Sequence, residues 1–169
     1  CPAETGKGIK RALAAWLKEF KRSVFFRRLL ALTFYTSLVL FRTLLNRKLW
    51  LNPLSDVCGG WSLWTINANG VRVLTTDSVE NVLMLLPFTM LLMWAAKDKI
   101  LKKVTFAGIV KSSFKTAFLF SLSIELLQLF LRVGTFQLSD LCYNILGGII
   151  GGVIYGAVWK IKSRKKMES

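Results

Sequence analysis

The sequence predicts an all-α integral membrane protein: a small bundle of four transmembrane helices behind an N-terminal amphipathic basic helix. Three observations carry this expectation. Apolar residues make up 53% of the 169-residue chain and come in four blocks of roughly 20 residues, the length that crosses a bilayer. The 24 Lys and Arg residues, against nine acids, gather at the ends of those blocks and between them, where topology determinants belong. Glycines recur at four-residue spacing in the last block (Gly147-Gly148, Gly151-Gly152, Gly156), a pattern that lets helices approach closely in lipid.

Residues 1–24 form the basic lead-in. Ile9, Leu13, Trp16, Leu17 and Phe20 fall on one helical face, and Lys10, Arg11, Lys18, Lys21 and Arg22 fill the other. Such a helix suits a bilayer surface of anionic headgroups, and equally the charged lead-in to a first span. The chain starts at Cys1 rather than Met, so a processed or trimmed start is expected. An anchor on Cys1 is not, because the basic run after it favours the cytoplasm.

Residues 25–161 form the membrane domain, with spans at about 25–45, 78–96, 114–132 and 141–161. Arg27 and Arg28 can snorkel at the start of the first span; Arg42, near its end, either snorkels outward or joins other polar groups. The segment 46–77 carries the turn signals Asn52-Pro53, Gly59-Gly60 and Asn67-Ala68-Asn69-Gly70,. Trp50, Trp61 and Trp64 suit the headgroup level, and 63–66 with 71–74 form a short hairpin. Asp77 and Glu80 read as a capping box opening the second span, and Pro87 predicts a kink in it. The lysine stretch from Lys97 to Lys115 and the basic tail 162–169 close the pattern. Placing every basic segment on the cytoplasmic side requires an even number of spans and puts both termini inside. The segment 46–77 and the turn 133–139 then lie outside, on a multi-pass protein of the cell membrane.

That topology gathers the scattered polar residues. Glu125, Gln128 and Arg132 fall at i, i+3 and i+7, and Asp140 and Asn144 lie one turn apart. Arg42, Glu80 and Asn81 join them in the outer half of the bilayer. Charges at membrane depth are expensive, so such a cluster is read either as a functional site or as a purely structural network of paired groups. The chain has no His, which excludes Ser-His and Cys-His nucleophiles and His-ligated zinc. Cys1, Cys58 and Cys142 fit no metal pattern, although Cys58 and Cys142 share a side and are free to bridge. No cofactor is assigned. Basic residues placed as topology determinants make nucleic acid an unexpected partner.

Glu80-Asn81 followed by an apolar run with Pro87, then Ser123-Ile124-Glu125-Leu126-Leu127-Gln128, then Asp140-x-x-x-Asn144 leading into the paired glycines, resembles the VanZ-like membrane-protein family. Asn52-Pro53 is similar to that family's Asn-x-x-Pro element, though shorter. The resemblance spans residues 42–156. One departure is Gln137, which stands where the family more often carries the first acid of an Arg-x-x-Asp-x-x-Asp pattern. The family is named for a member that lowers susceptibility to teicoplanin, a lipid-tailed glycopeptide antibiotic acting at the outer membrane face.

Two functional expectations follow. In the first, Arg42, Glu80, Asn81, Glu125, Gln128, Arg132, Asp140 and Asn144 bind the head of an amphiphile in the outer leaflet. That ligand is a lipid-tailed glycopeptide or a lipid-linked envelope intermediate, and the bilayer is the other partner. In the second, Glu125 and Asp140 act as catalytic acid–base groups on such a lipid, helped by Glu80. A small transporter is a third possibility, since intramembrane acids mark those too.

Overall fold

A computed structural model describes residues 2–45, 49, 51–62 and 64–165. Cys1, Asn46, Trp50, Leu63 and Lys166, which figure in the expectations above, lie outside these residues.

The order is α1 (Pro2–Arg22), α2 (Val24–Leu40), a π-helical turn (Phe41–Leu45), strands β1 (Trp64–Ile66) and β2 (Arg72–Leu74), then α3 (Thr76–Ile100), α4 (Phe106–Leu131) and α5 (Leu138–Lys165). Four segments are long and apolar enough to cross a membrane: Val24–Leu45, Thr76–Ile100, Phe106–Leu131 and Leu138–Lys165. The all-α class therefore stands; α3 and α5 run beyond the expected limits at both ends, whereas α4 starts earlier than expected and ends at Leu131, one residue short.

Local chemistry sets the helix ends. Ser23 separates α1 from α2 and caps α2, its hydroxyl accepting from the Phe26 N–H at 3.1 Å. Thr105 caps α4 the same way, accepting from the Gly108 N–H at 3.0 Å. Each cap satisfies a donor that the first helical turn would otherwise orphan. The start of α3 corrects the expected capping box. Thr75 is the N-cap; its side chain makes no cap bond, and its hydroxyl donates to the Ser62 carbonyl at 3.1 Å. Asp77 thus sits inside the first turn, where a negative charge favours the helix dipole, and Glu80 is drawn away to Arg42.

The C-terminal end of α4 is a Schellman arrangement. Arg132 is left-handed at φ 55°, and the Val133 N–H reaches back to the Gln128 carbonyl at 2.9 Å,. The helix has ended before Arg132. Its i+7 spacing from Glu125 therefore sets no shared face, and the expected alignment fails there.

Helix α5 is the centre of the packing. A methyl added at Gly147 or Gly151 would meet the backbone carbonyls of Val82 and Leu86 on α3. At Gly148, Gly152 and Gly156 it would meet Ala117, Ser113 and Phe106 on α4. The glycine pairs thus serve two neighbours at once, one residue of each pair facing each helix. Thr89 on α3 donates to the Gly148 carbonyl at 3.0 Å across the first seam, which close approach alone permits. Beside these seams Leu85, Phe88 and Ala117 form a buried cluster against Leu32, Tyr35 and Phe120, with Phe88 stacked on Phe120 at 4.4 Å.

Helix α3 continues through Pro87. The proline leaves the Leu83 carbonyl without its usual intrahelical donor, and one residue on Tyr35 donates to the Met84 carbonyl at 2.9 Å. Helix α1 leans on α2 through Trp16, whose ring meets Phe26 edge-on at 6.0 Å, while Ile9, Leu13 and Leu17 face outward.

Candidate functional site

Four chain segments converge at one end of the bundle. The π turn ending the first span presents Arg42 and Thr43. The opening of α3 presents Asp77, Glu80 and Asn81. Thr135 and Gln137 come from the α4–α5 turn, and Asp140 from the first turn of α5. Together with Met84 they enclose a cavity of about 250 Å³. Single π turns inside helices occur frequently at functional sites.

The α4–α5 turn is held from above by the long segment before β1. Phe136 and Leu138 donate their N–H groups to the Pro53 and Val57 carbonyls at 2.9 and 3.0 Å. Tyr143 donates to the Trp61 carbonyl at 2.9 Å. Gly60, at φ 76°, lies so close to Ser139 and Gln137 that a methyl would collide with both side chains. Only glycine takes that backbone conformation without strain. Strands β1 and β2 pair antiparallel, Thr65 opposite Val73, as a short hairpin between this segment and α3.

Of the eight residues singled out from sequence, Arg42, Glu80, Asn81 and Asp140 line the cavity. Arg42 Nη2 and Glu80 Oε2 form an ion pair at 2.7 Å with both side chains half exposed. Glu125 and Gln128 lie behind the cavity on the inner face of α4, each 2% exposed. Gln128 Nε2 donates to the Thr43 carbonyl at 2.8 Å, tying α4 to the π turn. Glu125 Oε2 accepts from the Gln137 N–H at 3.4 Å. Asn144 lies deeper and donates to Ser121 Oγ at 3.0 Å; its buried Oδ1 finds no partner among the described residues. Arg132 is exposed and is not brought to the cavity.

Sequence reasoning missed Thr43, Asp77, Met84 and Thr135 as lining groups. It met Gln137 only as a departure from a family pattern. The structure gives Gln137 three parts: its N–H serves Glu125, its side chain lines the cavity, and its Nε2 donates to Asp56 Oδ2 at 2.6 Å. An amide there recruits a carboxylate from the preceding segment, 81 residues away. No spacing signal announces that pairing. Thr43 acts partly through its backbone carbonyl, a group every residue has, so its identity carried little information.

Among the described residues the cavity lining holds one guanidinium and three carboxyl groups, from Asp77, Glu80 and Asp140. Arg42 in this lining is paired with Glu80. Among the described residues no three His, Cys, Asp or Glu groups lie close enough to hold a metal ion. Cys58 and Cys142 are free thiols, both exposed.

The Arg42–Glu80 pair is expected to couple weakly. Half-exposed pairs are worth about 0.2–1 kcal/mol. A double-mutant cycle of Arg42→Ala and Glu80→Ala on unfolding in detergent should return a value in that range. A coupling of several kcal/mol would mean that the pair is desolvated.

Four long apolar helices, with a polar cavity at one end, fit a multi-pass membrane protein. The chain belongs to the VanZ/LLP1 family, whose model matches residues 20–160. Membership is consistent with a membrane protein linked to glycopeptide resistance. No curated protein and no solved structure matches the chain.

Proposed function

We propose that the cavity holds the polar head of an amphiphile in the outer leaflet of the cell membrane, while its tail lies along an adjoining apolar groove. The ligand is a lipid-tailed glycopeptide or a lipid-linked envelope intermediate, and holding it contributes to glycopeptide resistance. One observation carries the reading. The π turn has a polar side and an apolar side: Arg42 and Thr43 line the cavity, whereas Phe41, Leu44 and Leu45, with Leu40 and Leu131, line a groove of about 430 Å³. Head and tail sites thus adjoin, which is what an amphiphile requires. Among the described residues the lining carries more carboxyl groups than cations, which favours a head bearing amines or hydroxyls. Orientation rests on the basic loops: the lysine-rich end faces the cytoplasm, with both termini.

A buried carboxylate supports a second reading on the same ligand. Glu125 is 2% exposed, and acids in such surroundings serve acid–base chemistry. Glu125, with Asp140 in the cavity, would then be catalytic.

One experiment addresses both. The full chain is purified in mild detergent and its bound amphiphiles are extracted and identified by mass spectrometry. The wild type is expected to carry one recurring species with amine or hydroxyl groups. Asp140→Asn should retain about tenfold less, the loss of one charged hydrogen bond. Glu125→Gln keeps shape and removes charge: unchanged retention supports plain binding, whereas accumulation of a species that the wild type converts supports catalysis. Repeated recovery of no specific amphiphile would sink both.

A further inference from the structure

At the opposite end of the bundle, a second cavity of about 230 Å³ lies between the start of α2, the end of α3 and the end of α5. On the same measure a single water needs about 10–15 Å³, so a phosphodiester fits. Arg28, Lys97 and Lys162 line it, with Trp94, Trp159 and Tyr155. Three cations thus meet three amphipathic rings, a ring type that prefers the headgroup level of a bilayer.

The cations differ in what they already hold. Lys97 Nζ is paired with Asp98 Oδ2 at 2.7 Å. The Arg28 guanidinium stacks over the Trp94 ring at 5.1 Å and donates through Nη1 to the Trp94 carbonyl at 3.2 Å. Its buried Nε has no hydrogen-bond partner among the described residues. Lys162 is exposed. The lining therefore keeps a positioned guanidinium with a donor to spare and a second cation on the facing helix. Leaving a buried charged-group donor unmade is costly, and an acceptor supplied from outside would relieve it.

We propose that this cavity binds the phosphate of an anionic phospholipid, seated between α2, α3 and α5 at the lysine-rich bilayer surface. Arg28 and Lys162 supply the charge, and the Trp94, Trp159 and Tyr155 rings flank the glycerol region. The geometry serves a lipid rather than a free anion because the cavity lies on membrane-spanning helices, where the acyl chains of a bound lipid continue into the surrounding bilayer. The site is separate from the acid-rich cavity and does not depend on it.

The test uses the full chain in neutral detergent, with phosphatidylglycerol and phosphatidylcholine of matched acyl chains as probes and bound lipid counted by native mass spectrometry. Phosphatidylglycerol is expected to bind more tightly than phosphatidylcholine. Each charge at a membrane surface is worth about fivefold, so Lys162→Gln should weaken phosphatidylglycerol about fivefold and Arg28→Gln/Lys162→Gln about 25-fold. The loop variant Lys102→Gln/Lys103→Gln, which removes two charges outside the cavity, should bind as wild type. If Arg28→Gln does not fold, Lys162→Gln alone decides. Equal binding of the two lipids, wild-type affinity in Lys162→Gln, or an equal loss in the loop variant would each overturn the assignment. Displacement of phosphatidylglycerol by tenfold excess inorganic phosphate would also overturn it, by showing a free-anion site.

Discussion

Gly147→Ala and Gly151→Ala are each expected to destabilise the bundle by about 3 kcal/mol, the upper end for inserting one carbon into a packed interior. The new methyls would collide with the Val82 and Leu86 carbonyls on α3. A flexible side chain can turn aside, but a helix backbone moves only as a body. The remaining route is for α5 to withdraw from α3, which breaks the Thr89 bond to the Gly148 carbonyl and leaves Thr89, wholly buried, to re-pair within its own helix. One withdrawal relieves both collisions, so the double variant should cost clearly less than the sum of the singles. Reversible unfolding in mixed micelles reads this directly. Gly8→Ala is the control: nothing lies within 4 Å of the added carbon, and α1 should gain a few tenths to 1 kcal/mol from helix propensity. Wild-type stability in Gly147→Ala would mean that α5 does not seat on α3 as described.

Gln128→Leu is expected to cost about 1–2 kcal/mol. The side chain is similar in bulk, so packing changes little. What is lost is the donor to the Thr43 carbonyl, which holds the π turn to α4. That loss should also loosen Arg42 and Thr43, which line the cavity from the same turn. Bound amphiphile should therefore fall in Gln128→Leu even under conditions where the bundle remains folded. A stability loss with full ligand retention would show that the π turn does not shape the site.

The four spans were legible because a bilayer imposes length and hydrophobicity on any helix that crosses it. Glu80, Asn81 and Asp140 were legible as polar residues at helix starts on one side. Arg132 was misread because periodicity presumes that the helix continues. The left-handed turn at that residue is a choice between ending the helix and extending it, and spacing does not record it. Glu125 and Gln128 are buried polar groups inside a span, and they back the cavity rather than line it. The capping box failed for a similar reason: Thr75 and the Asp77–Glu80 pair compete for the same helix start. A guanidinium 38 residues away, on Arg42, takes Glu80 out of the contest.

By itself, the sequence determined which four segments are long and apolar enough to cross a membrane, where the lysines gather between them, and that the last helix would pack closely. These follow from solvent, charge and the size of glycine, all local properties of the chain. Only the tertiary structure decided that alternate glycines serve α3 and α4, that Gln137 joins Glu125 to Asp56, and that a π turn sets a polar cavity beside an apolar groove. Those features depend on backbone carbonyls and on residues dozens of positions apart, and groups that every residue carries leave no mark in the order of side chains.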